Sequence, residues 1–197
     1  MSLNVFNAYY PHQIYRSAML SHTLEGLTLV QNGVDDTRRN ASIVVDAKNN
    51  GGSYLGKVEN NQGLNMHEVP VRTVLLSDIV DAILARIGYL TQTVIKMDIE
   101  GFECNAFLGS PQVLTRQQSI SIVAIIMEWT FKKFHERCTS ENALQLKLLF
   151  LNSGYIPFYL HNHTLAKLDV EGQDWERDVV WLKDNNMIPE LMSTTFI

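Results

Sequence analysis

The chain has 197 residues, 46% of them hydrophobic and 19% charged, the composition of one soluble globular domain with room for a substantial core. A formal net charge of -5 argues against a broad nucleic-acid footprint, which needs a basic face, and the short RRNAS stretch at Arg38 does not overturn that. No apolar run approaches the roughly 20 residues that span a bilayer, and the first residues lack the basic-then-apolar pattern of a secretory signal, which leaves the compartment open.

Asn7 to Leu24 places Tyr10, Ile14, Ser17, Ala18 and Leu24 near helical spacing and predicts a helix, with Pro11 tolerated in its first turn. Gly26 releases the chain into LTLVQNGV, a strand from Leu27 to Gln31. A second extended piece is expected from Ala41 to Val45. Asn49-Asn50-Gly51-Gly52-Ser53 then reads as a loop by its turn chemistry, as does the polar stretch from Val58 to Asn65. HEVPVRT, from His67 to Thr73, alternates as an edge strand should, since Pro70 cannot donate to a ladder. Ser77 and Asp78 start an amphipathic helix with Ile79, Ala82, Ile83 and Ile87 inward and Gly88 at its end.

The octapeptide KMDIEGFE, Lys96 to Glu103, follows. Thr93, Val94, Ile95, Met97 and Ile99 form a short, nearly continuous apolar run, the pattern of a central parallel strand buried on both faces. Sheets of that kind bind ligands at the carboxyl ends of their strands, where Asp98, Glu100 and the permissive Gly101 stand. The same acids suit a plain helix cap, so local spacing leaves capping and catalysis both open. Ser110-Pro111 opens a short helix, and SIVAIIME ends a second long apolar strand, Ile120 to Glu128, in another carboxylate. Ser140 and Glu141 begin a helix carrying Leu144, Leu148, Leu149 and Leu151, which stops near Gly154. Strands at Tyr155 to Leu160 and Val179 to Leu182 complete an alternating α/β pattern.

Other candidate sites carry less. His161 and His163 flank Asn162, but no further ligands sit at metal spacing, so no metal site is expected. Gly51-Gly52-Ser53 lacks the lysine and the strand-to-helix context of a phosphate loop. Trp129 and Phe131 suit a pocket wall or, more simply, the core. Cys104 and Cys138 form no framework or CxxC and are expected as reduced, buried thiols. The glycosylation-type tripeptides at Asn40 and Asn162 mean little without a secretory route. Lys96, Asp98, Glu100, Glu103 and Glu128 remain as a polar set able to bind a cation, orient a hydroxyl or act as a general base.

KMDIEGFECNAFLGSPQVL, preceded by VPVRTVLLSDIV and followed by SIVAIIMEW, resembles the FkbM family of S-adenosylmethionine-dependent methyltransferases. Order and spacing match from Val69 to Trp129. LTLVQNGVDDTRRNASIVV is similar to the family's third strand and its sequel, Asn49 to Leu55 to the loop beyond, and the tail from Tyr155 to the last two strands.

The resemblance implies a Rossmann-like class I methyltransferase sheet of order 3-2-1-4-5-7-6 in a single domain. A DxGxxxG first strand and an acidic second strand are missing from the sequence. The expectation is therefore an incomplete α/β sheet without strands one and two, an exposed edge on the KMDIEGFE strand, and a chain that is a fragment, isoform or incomplete gene model of a longer enzyme.

The resemblance further implies O-methylation of a hydroxyl on a small molecule, sugar or lipid, with S-adenosylmethionine as cofactor, impaired in this truncated form. Asp98 and Glu100 are the catalytic candidates, facing the acceptor hydroxyl. Asn32, Gly33 and Val34 would lie near the adenine. Two readings compete: a non-catalytic α/β interaction domain that kept the fold, and another α/β enzyme using the paired acids with Mg²⁺.

Overall fold

The computed structural model describes residues 2–6, 32–46, 49–57, 66–88, 90–115, 120–129, 137–161, 164–171, 175 and 177–184. The helix expected at Asn7 to Leu24, the strand at Leu27 to Gln31, the loop at Val58 to Asn65, and Phe131 lie outside the described residues. In chain order the elements are β1 (Ser2–Phe6), β2 (Gly33–Val34), β3 (Asn40–Asp46), β4 (Asn49–Leu55), β5 (Met66–Val74), α1 (Leu76–Ile87), β6 (Leu90–Asp98), α2 (Glu103–Leu108), α3 (Gln112–Thr115), β7 (Ile120–Trp129), α4 (Ser140–Asn152), β8 (Tyr155–His161), β9 (Thr164–Lys167) and β10 (Arg177–Lys183).

The two long apolar runs lie side by side as β6 and β7, parallel and in register from Val94 opposite Ala124 to Met97 opposite Met127. They sit inside a sheet of order β1-β6-β7-β10-β8-β9. β10 runs antiparallel to both β7 and β8, and β9 closes a hairpin on β8. The edge of the KMDIEGFE strand, expected to be open, is covered: β1 runs parallel along β6, from Ser2 opposite Val94 to Phe6 opposite Asp98. Its backbone supplies the ladder partners that a bare edge would leave unpaired.

A second sheet has the order β2-β5-β3-β4. Here the loop expected at Asn49 to Ser53 is instead part of β4. Ile43 pairs with Leu55, Val44 with Tyr54 and Asp46 with Asn49, so Asn50 to Ser53 are taken up opposite Val45 as a bulge. Burial of Ser53 and Leu55 and pairing with β3 outweigh the turn-forming composition. Pro70 is paired with Ser42 on one side, while β2 meets β5 only at Thr73 and Val74, so no ladder partner is needed at the proline nitrogen.

α1 joins the two sheets. Asp78 fixes its start by accepting the Leu75 N–H at 3.0 Å, and Gly88, at φ +83°, ends it by donating to Leu84 O at 2.7 Å. Leu76, Ile79, Val80 and Ile83 face the core, whereas Ala82, expected inward, is exposed. In α4 the buried residues are Leu146 and Phe150. Leu144 and Leu148 are 55% and 47% exposed.

One continuous core joins Ile95, Met97 and Ile99 at the end of β6 to Phe107 of α2, Ile125 and Met127 of β7, Phe150 of α4 and Trp181 of β10. The wall behind the β7 end is aromatic. Trp129 packs 5.4 Å from Trp175 and 5.5 Å from Trp181, and Phe150 sits 4.8 Å from Trp181. Trp129 is therefore a core residue rather than a pocket wall.

Candidate functional site

Asp98, the last residue of β6, and Glu128, the last but one of the parallel β7, each stand one residue beyond the Met97 and Met127 pair. The alternation that buries Met97 and Ile99 turns Lys96 and Asp98 to the other face, where Lys96 Nζ lies 3.4 Å from Asp98 Oδ2. The Asp98 side chain is 44% exposed and so reachable by a solute. Directly beyond it the chain enters two consecutive left-handed residues, Glu100 at φ +55° and Gly101 at φ +92°. Glycine adopts this conformation freely. A residue with a side chain does so at a cost of about 1–2 kcal/mol, which surrounding contacts must offset.

Two contacts do so. The first is Glu103, the first residue of α2 and only 1% exposed. Its Oε1 accepts the Ile99 N–H at 3.1 Å. Burial pushes this carboxyl up to about 7, opposed by hydrogen bonds from the backbone N–H groups of Glu103, Ile99 and Gly101 and reinforced by the negative charge of Glu128. Glu103 thus sits within the turn as a buried carboxyl that accepts from the turn's backbone.

The second contact is Arg137. Its Nη1 donates to the Glu100 carbonyl at 2.7 Å, and its guanidinium lies 3.8 Å above the Tyr54 ring and 5.8 Å from that of Phe102. Next to it, Cys138 is joined by a disulfide to Cys104 of α2. The expectation of two reduced thiols is overturned. Both residues are fully buried with Cα atoms 5.7 Å apart, inside the bridging range, although 34 positions separate them in sequence.

Gly33 and Val34 are β2 of the second sheet, and Asn32 immediately precedes them. Asn32 is half-buried and its side-chain amide donates to Arg72 O at 3.1 Å. Gly33 is buried beneath Leu55, whose Cδ2 would stand 2.8 Å from any added Cβ, and Val34 is also buried. The next residue connects this segment to the turn region. Asp35, fully buried, accepts from Asn105 of α2 at 3.0 Å and from Arg39 at 2.6 and 3.0 Å. Gly109 closes the same junction, since a Cβ there would lie 2.5 Å from Asp36 Cα. The basic pair of RRNAS is internal business: Arg39 is bound to Asp35, and Arg38 to Asp78, whose carboxylate it holds below the usual range.

The family model described as the methyltransferase FkbM domain matches residues 7–157, about three quarters of the chain. The chain belongs to the FkbM methyltransferase family. In the comparisons with curated proteins and with solved structures, nothing matches.

Within this FkbM domain the structure gathers Lys96, Asp98, Glu100, Glu103 and Glu128 around the end of β6, and it holds Asn32 to Val34 at the other sheet, tied in through Asp35 and Asn105. Among the described residues no group of three or more His, Cys, Asp or Glu is arranged to hold a metal ion, and no helix is long and apolar enough to cross a membrane. Sequence reasoning missed Arg137, Asp35 and Asn105. Nothing local marks them, because their partners lie 37 and 70 positions away.

Proposed function

We propose that this domain transfers a methyl group from S-adenosylmethionine to a hydroxyl of a small molecule, sugar or lipid, with Asp98 as general base. The observation that carries this reading is Asp98 itself: a half-exposed carboxylate at the carboxyl end of a parallel strand, in a chain of the FkbM methyltransferase family. The strand order β1-β6-β7-β10-β8 supports it by following the 1-4-5-7-6 part of a class I methyltransferase sheet. β1 then stands in the place of strand one, although Asn7-Ala8-Tyr9 follows it rather than a glycine-rich turn.

The residues present fit the cofactor unevenly. Asn32, half-buried, would meet the adenine edge, whereas Gly33 and Val34 fit as packing beneath it, since Leu55 fills the space above Gly33. Bound S-adenosylmethionine supplies an electrophilic methyl on a sulfonium. A carboxylate set against that sulfonium would hold the ground state more than the transition state, so Asp98 is useful at the acceptor, where it takes the hydroxyl proton. Glu100 sets the direction in which the chain leaves the strand, and with it the space beside Asp98.

Calorimetric titration with S-adenosylmethionine tests the cofactor half of the reading. Saturable binding supports it, and silence from a well-folded sample gives the domain to the competing role of a non-catalytic interaction module. Asp98→Asn tests the base. A fall in turnover of about 10²-fold or more with cofactor affinity unchanged is expected, and near-normal turnover would sink the assignment.

A further inference from the structure

We infer that Arg137 is a positioning residue for the turn from Asp98 to Gly101, and that the Cys104–Cys138 disulfide makes its grip sensitive to reduction. Three observations meet at this point. Glu100 holds a left-handed conformation that a residue with a side chain disfavours, and the Arg137 guanidinium donates to its carbonyl at 2.7 Å while stacking 3.8 Å over Tyr54. Arg137 adjoins Cys138 in the short turn before α4. Cys138 is bonded to Cys104, the second residue of the helix that leaves the same turn. The exit of the turn and the group that grips it are thus covalently tied, although 34 positions separate them.

Reduction proceeds by exchange with a dithiol. The Cys104–Cys138 bond breaks, each sulfur gains one electron and one proton, and the reductant closes to its own disulfide. Both sulfurs are buried, so attack follows local opening. Opening on the Cys138 side needs the smaller displacement, because Thr139, Ser140 and Glu141 beside it are exposed. Once the bond is open, the position of Arg137 depends on its non-covalent contacts alone. The left-handed turn then loses the restraint that aims Asp98.

The readout is amide hydrogen exchange at Ile99, Gly101 and Glu103 in the full chain, oxidised and after dithiothreitol. The Ile99 N–H donates to the Glu103 carboxylate, and the Gly101 and Glu103 amides flank the same carboxylate in sequence, so the three report the turn directly. We expect reduction to speed their exchange about tenfold and oxidised Arg137→Ala to do the same, with no further gain when that variant is reduced. Arg137→Lys should recover part of the protection, since an ammonium reaches the carbonyl without stacking. Unchanged exchange on reduction of the unmutated chain would overturn the inference, as would effects of reduction and Arg137→Ala that simply multiply. Should Arg137→Ala lose protection in β7 and α4 as well, the unmutated chain and Cys104→Ser/Cys138→Ser decide between these outcomes. The functional consequence rests on the methyltransferase reading and is measured apart from it: turnover should fall about tenfold on reduction, with S-adenosylmethionine affinity unchanged. If exchange responds but the cofactor binds in neither state, the restraint by Arg137 stands and the methyltransferase reading falls.

Discussion

The side-chain amide of Asn105 donates to the fully buried carboxylate of Asp35, 3.0 Å away and 70 positions earlier in the chain. Through this bond the second sheet is fastened to the helix that leaves the KMDIEGFE turn. Asp35 also accepts the Asp36 N–H at 2.9 Å and the Arg39 guanidinium, so its charge is fully engaged. Asn105→Ala removes one donor from a buried anion and should cost about 1–3 kcal/mol in urea unfolding. A loss below 0.5 kcal/mol would mean that Arg39 alone is sufficient.

Glu103 gives the protein a pH-dependent stability of unusual sign. Its carboxyl is raised in the folded state from 4.5 to about 7, so between those values the folded chain binds the proton more tightly than the unfolded one. Stability is therefore complete below about pH 4.5 and is lost as pH rises through 7, by about 3 kcal/mol from this group alone. Glu103→Gln keeps an acceptor for the Ile99 N–H and cannot ionise. Denaturant midpoints measured from pH 5 to pH 8 should fall less steeply in the variant, and parallel slopes would remove Glu103 as the source.

The disulfide closes a loop spanning 34 positions. In the chain-entropy account this stabilises the fold by about 3.8 kcal/mol at 25 °C. Reduced protein should unfold at a correspondingly lower denaturant concentration, whereas equal midpoints with and without reductant would show that the bridge does not restrain the unfolded chain.

Two glycines separate steric from conformational cost. At Gly109 an added Cβ would meet Asp36 Cα at 2.5 Å and Asn105 O at 2.9 Å, both backbone atoms, so it fits only if the Asp36 loop and the end of α2 shift apart. At Gly88 nothing lies within 4 Å, but φ is +83°. Gly88→Ala should cost about 1–2 kcal/mol. Gly109→Ala should cost more, at the upper end of the 1–3 kcal/mol usual for overpacking, and should also weaken the Asp35–Asn105 junction. The order of the two melting temperatures checks this.

Elements whose burial is written locally were legible. The apolar runs of β6 and β7, the Asp78 and Gly88 ends of α1, and the stop at Gly154 all follow from neighbours within a few residues. Elements defined by distant partners were not. β1 is five residues of ordinary composition whose strand character comes from lying along β6. β4 reads as a glycine-rich loop until β3 pairs with it. In α4, leucines at helical spacing do not reveal which side meets the sheet, and Leu146 with Phe150 takes the core side from Leu144 and Leu148. At the candidate site, Asp98 and Glu100 stand out in the sequence, but the groups that hold their turn come from residue 137 and from a buried Glu103 that looks like a helix cap.

The reversed strand β10 sets an order of assembly. Among the described residues, β8 and β9 join the backbone ladder of their sheet only through β10, which is made after both of them, although the Tyr155 hydroxyl of β8 donates to Ile122 O of β7 at 2.9 Å. During synthesis this hairpin has no ladder to join until residues 177–183 leave the ribosome and insert between β7 and β8. The half of the sheet bearing Asp98 can form earlier, while its outer half waits for the last strand.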